Sequence, residues 1–154
     1  MTLIPIIYGA AVACTLYLAL ISHSSVLQKV GLALLFAWSA SNVVVSLQGF
    51  ERAPLMIPTI DGFAAILIAM VGYRHRSNVA LVVFGIYAIV SIVHVGAFVL
   101  RMQATYTYYL TLNLLFLSQL LLLGGSGAWL AVRHRVPRGH QRLRPHPPRR
   151  PHIA

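Results

Sequence analysis

The chain has 154 residues, 58% of them hydrophobic and only 9% charged, with a mean hydropathy of +0.78. A soluble domain carries roughly a quarter charged residues, so this composition excludes a water-soluble globular domain and points to lipid as solvent. Twelve Lys and Arg against two acids, Glu51 and Asp61, give a formal charge of +10, and seven of the twelve cations follow Val132.

The apolar runs predict an all-α, polytopic transmembrane helical bundle. Its five spans fall at about 3–21, 26–47, 55–73, 79–100 and 108–132, within a membrane domain 1–132. Span 1, Leu3 to Ile21, carries Pro5 in its first turn, where proline is tolerated. No Lys or Arg precedes it and it is longer than a typical signal core, so it reads as a retained span. Gly9 with Ala13, and Ala10 with Cys14, are small residues four apart that suit close helix packing in lipid. Cys14 is the sole cysteine, which leaves no intramolecular disulfide and no cysteine metal site.

Ser22-His23-Ser24-Ser25 makes a very short connection, and Ser25 followed by Gln28 fits a capping box that starts span 2 at Val26. Span 2 is unevenly wrapped. At about 100° per residue, Ala40, Val43, Val44, Leu47 and Phe50 share one half, and Trp38, Ser39, Ser41, Asn42, Ser46 and Gln48 the other. Lipid cannot satisfy that polar half, so it faces protein, or water held by protein.

Gly49 to Pro58 breaks the pattern with Glu51, Arg52, Pro54 and Pro58. Span 3 ends at the interfacial Tyr73-Arg74-His75-Arg76. If it starts only at Thr59 it is about 22 Å long, short of the ~30 Å hydrocarbon core. A four-span arrangement with a re-entrant segment is therefore the alternative. Ser77 or Asn78 can cap span 4. Span 5 follows a polar, aromatic link (Gln103, Thr105, Tyr106, Tyr108, Tyr109), whose tyrosines, with Trp129, suit the headgroup levels. Gly124-Gly125-Ser126-Gly127 predicts a kink or an early end, since each glycine weakens a helix by about 1 kcal/mol relative to alanine.

With five spans, Lys29, Arg74, Arg76 and the tail arginines lie on one side, and Arg52 and Arg101 on the other. The positive-inside rule then places the N-terminus outside and the C-terminus in the cytoplasm of a bacterial inner or plasma membrane. The four-span alternative gives the same charge split, because Lys29 and Arg52 exchange sides.

Ionisable groups inside spans are functional candidates by default. Asp61 reads either as a proton or cation site or as a first-turn residue of a helix beginning near Thr59, complementing its dipole. His94 shares a helix face with Tyr87 and Ser91 and reads either as part of a proton relay or as a neutral, hydrogen-bonded histidine. Ser39, Asn42, Ser46 and Gln48 of span 2, with Asn113 and Gln119 of span 5, are candidates for a pore lining or a helix interface. Thr111 and Ser118 add polarity without forming a stripe.

The tail 133–154 is rich in Arg, Pro and His and predicts disorder or polyproline II. Arg133, Arg135, Arg138, Arg142 and Arg144 suit anionic lipid headgroups, at about 1 kcal/mol each when close to the surface. Nothing in it resembles a nucleic-acid-binding fold. His134, His140, His146 and His152 recur every six residues, but match no metal-ligand spacing. No catalytic or cofactor-binding motif is present, so no enzyme activity, cofactor or metal is expected.

In compactness, short loops, orientation and basic tail the chain resembles the small phage membrane proteins called holins. That resemblance implies accumulation in the inner membrane and oligomerisation into a lesion lined by the polar side of span 2. Two other functions stay open. One is a small channel or proton-coupled transporter using Asp61 or His94. The other is a non-catalytic subunit docked into a larger membrane complex. In each case the polar side of span 2 is the organising element. Replacing both Asn42 and Gln48 with leucine is therefore expected to change assembly or activity; a variant with wild-type oligomeric state and function would remove that role.

Overall fold

Each apolar run becomes a helix. The computed structural model describes residues 3–48, 56–101 and 105–135. The helices are α1 (Leu3–Ile21), α2 (Ser25–Gln48), α3 (Met56–His75), α4 (Asn78–Val99) and α5 (Tyr106–Arg135). Helices α2 to α5 are long and apolar enough to cross a membrane, and α1 has 19 residues, about 28 Å at 1.5 Å per residue. Among the described residues there is no strand.

The helix ends follow from local polar chemistry. Ser24, one residue before the expected cap, accepts from the Leu27 amide at 3.4 Å, so α2 begins at Ser25. Gln28 does not close a capping box: its Nε2 reaches back 3.4 Å to the Leu20 carbonyl and so satisfies an acceptor at the end of α1. Ser77 caps α4 by accepting from Ala80 N. Helices α1, α3 and α4 are followed by His23 (φ 53°), Arg76 (φ 49°) and Arg101 (φ 53°) in the left-handed region. For non-glycine residues that region costs roughly 1–2 kcal/mol each.

Consecutive helices pack side by side, and α1 closes the ring against α5. Among the described residues, α2 is the one helix in contact with all the others. Lys29, near the start of α2, donates from Nζ to Nε2 of His75, the last residue of α3, at 3.3 Å. Helix α3 is therefore a continuous 20-residue return to the end of the bundle where α2 starts. It begins at Met56 because Pro58 falls in its first turn, where a missing N–H costs little.

The core is built from small residues. Ala19, Ala33, Ala37, Ala64, Ala65 and Ala80 pack with Val30, Leu34, Ile68, Val83 and Leu123, and small side chains let helix backbones approach in lipid. Leu32, Phe36, Ile66, Ile92, Val95 and Leu121 instead point outward, a surface suited to acyl chains.

The expected early end of α5 does not occur, since the helix continues through the glycines to Arg135. Tyr8 meets Phe116, Thr15 meets Gly124, and Leu18 meets Gly127, so α1 and α5 run parallel in constant register. A Cβ on Gly127 would lie 2.9 Å from the Leu18 carbonyl carbon and oxygen. The glycines thus permit backbone contact. The proposed pairs on α1 also differ from expectation: Gly9 faces Trp38, while Ala10, Ala13 and Cys14 are exposed.

Gly127→Val is accordingly expected to lower stability in detergent by about 1–3 kcal/mol through overpacking. Gly125→Ala, where an added Cβ meets nothing within 4 Å, should be neutral or stabilising by up to about 1 kcal/mol. Thermal unfolding of the two variants reads the difference; equal effects would disprove the close α1–α5 seam.

Candidate functional site: a polar cleft backed by Asp61, His94 and Tyr108

Asp61 lies in the second turn of α3, not the first, because that helix starts three residues earlier than Thr59. Its carboxylate points at α4, where Oδ2 lies 3.1 Å from His94 Nε2. His94 is 2% exposed in its side chain and Asp61 17%. On its other side, His94 Nδ1 lies 2.7 Å from the Tyr108 hydroxyl of α5, with the two rings edge to face.

Proton positions follow from donor chemistry. When Asp61 is ionised it only accepts; His94 Nε2–H then donates to it and the Tyr108 O–H donates to Nδ1. The result is a directed row across three helices, with the imidazole held from both sides. His94 can take up a second proton at Nδ1 without moving, because the Tyr108 oxygen can turn from donor to acceptor.

Asp61 also lines a cleft of about 280 Å³ between the helices. The cleft is bordered by Tyr8 of α1, Trp38, Ser41 and Asn42 of α2, Ile57 of α3, Tyr87 of α4, and Tyr109, Asn113 and Gln119 of α5. These positions belong to the first half of α1, α3 and α5 and to the second half of α2. The cleft therefore occupies the end of the bundle away from Lys29 and His75, and reaches the middle at Ala37, Tyr87 and Gln119. Beyond that level the alanine-rich core, with Val30, Leu34, Ile68, Val83 and Leu123, fills the interior.

The candidates from sequence divide accordingly. Asn42, Asn113 and Gln119 share the cleft. Ser39 is half-buried and Ser46 exposed, and neither is among its lining residues. Asn42 Nδ2 donates to the Trp38 carbonyl at 2.7 Å. Ser91 Oγ donates to the Tyr87 carbonyl of its own helix. Thr111 and Ser118 likewise donate to carbonyls of their own helix. Gln119 differs: it is 1% exposed, and its Nε2 is buried without a hydrogen-bond partner.

Gln48 and Arg135 are described by backbone alone, and Arg133 is exposed at the end of α5. Phe50, Glu51, Arg52, Arg138, Arg142, Arg144, His140, His146 and His152 lie outside the described residues. Among the described residues no three His, Cys, Asp or Glu side chains group to hold a metal ion.

Sequence reading assigned Tyr108 to a headgroup belt and missed it as the second partner of His94. A signal was present on α5: Tyr109, Asn113, Phe116 and Gln119 follow the three-and-four spacing of one helix face, and all line the cleft. No protein-family model matches the chain, and neither a curated protein nor a solved structure matches it.

Removing one partner from a buried, hydrogen-bonded pair costs about 3–5 kcal/mol. His94→Leu is therefore expected to lower stability in detergent by roughly that amount, and adding Asp61→Leu to recover much of the loss. A thermodynamic cycle over the two single variants and the double variant measures the coupling; strictly additive effects would mean the pair does not interact.

Proposed function

We propose that the chain is a five-span integral membrane protein, N-terminus outside and C-terminus cytoplasmic, that works as a small proton-linked transporter. One observation carries this reading: Asp61 lines a cleft that enters from one end and stops at mid-bundle, and His94 and Tyr108 stand in a row behind it. A carboxylate in contact with both the cleft and a second titratable group can exchange a proton for a solute. The alanine-rich core beyond it serves as the closed gate of a protein open to one side. In the proposed orientation the cleft faces outward, and the tail arginines lie against anionic cytoplasmic lipid.

The same geometry favours a transporter over a holin-like lesion former. Asn42, Asp61, His94 and Gln119 are gathered inside one chain, so Ser41 and Asn42 of α2 need no second copy to give them a protein-lined cleft. It also favours a transporter over a passive subunit, for which a cleft lined by polar groups would have no use.

The test is reconstitution in liposomes that contain a pH-sensitive dye, under an imposed pH gradient. The wild-type protein is expected to dissipate the gradient faster than Asp61→Asn and His94→Ala, by on the order of a hundredfold, the scale at which a positioned proton-transfer group contributes. Equal rates in all three proteins would overturn the assignment.

A further inference from the structure

We infer that the cleft binds a small organic cation that also carries a hydrogen-bond acceptor. The inference names the solute of the transporter proposed above and rests on that reading for its purpose. The binding site itself can be tested without any flux.

Three features of the cleft converge on this chemistry. First, Asp61 is the one carboxylate that lines it, and no Lys or Arg does, among the described residues. Lys29, Arg74 and Arg133 belong to the opposite half of the bundle, and Arg101 lies in the turn after α4. An entering anion would meet a carboxylate and no Lys or Arg; an entering cation meets its counter-charge.

Second, the carboxylate shares the cleft with the aromatic rings of Tyr8, Trp38, Tyr87 and Tyr109. Ring faces attract ammonium groups, most strongly where water is excluded. This favours an alkylated or organic ammonium group over a bare metal ion, which would need several oxygen ligands at short range.

Third, Gln119 borders the inner end of the cleft, and its Nε2 is buried and unpartnered. An amide donor left unsatisfied is costly, and the site recovers that cost when a bound molecule presents an acceptor. The cleft thus distinguishes two parts of one solute, a cationic head at Asp61 and an acceptor at Gln119. At about 280 Å³ it suits a molecule of metabolite size, with the apolar remainder against Ile57 and Phe116.

The chain holds two tryptophans. Trp129 is 68% exposed and Trp38 lines the cleft, so Trp129→Phe leaves Trp38 as a reporter of occupancy. In nanodiscs carrying this background, three probes are titrated against Trp38 fluorescence. They are acetylcholine, its neutral carbon isostere 3,3-dimethylbutyl acetate, and pentyltrimethylammonium, which keeps the charge and lacks the acceptor.

Saturable binding of acetylcholine is expected, with the neutral isostere at least about tenfold weaker. Asp61→Asn should remove that preference for charge. Gln119→Leu should weaken acetylcholine by about tenfold and leave pentyltrimethylammonium unchanged, a selective effect that a folding defect would not produce. Equal binding of the neutral isostere, or no saturable binding of either cation, overturns the inference. If protons move and no cation binds, the solute assignment falls and the transporter stands; if cations bind and no protons move, the site stands and proton coupling falls.

Discussion

The contact between Asp61 and His94 is the interaction on which the arrangement of the bundle depends. In hydrocarbon a lone carboxylate or imidazolium is expensive, and the partner has to come from the protein itself. Here it comes from the neighbouring helix, and Tyr108 from a third helix completes the row. Three helices must therefore keep a fixed rotation about their axes. That rotation also turns the Tyr109–Gln119 face of α5 toward the cleft, which Trp38, Ser41 and Asn42 of α2 also border.

Closure of the ring is a separate requirement met by different residues. With five helices in up-and-down order, the first and last run parallel and must meet along their length. Parallel contact over that length requires small residues, and Gly124 and Gly127 set against Thr15, Leu18 and Ala19 supply them. The glycines that weaken an isolated helix are thus the residues that let α5 lie against α1. In lipid, where there is no hydrophobic drive between helices, such close approach is a main source of association.

The two halves of the bundle divide the work. One half is filled mainly by alanine, valine, leucine and isoleucine. The other half holds a cleft with a carboxylate, aromatic rings and one unsatisfied amide. An interior packed solid throughout would be more stable, and a site for solute or proton requires that part of it stay open. The unpartnered Gln119 is the clearest trace of that compromise, because leucine would fill the same position without a buried donor.

Helix number and helix bounds were legible in the sequence, because hydrophobic length and turn residues act locally. Apolar runs of about 20 residues form helices whatever their neighbours, and Ser24 and Ser77 cap them through bonds only three residues long. Asp61, His94 and Gln119 could be singled out by residue type, since lipid penalises each of them. Three-dimensional packing alone decided that Asp61 is the partner of His94, that Tyr108 sits behind it, and that the α5 glycines are a contact surface rather than a break. Those outcomes depend on the rotation and register of helices 14 to more than 100 residues apart in the chain. Periodicity along one helix states which side is polar, and packing among several states what that side meets.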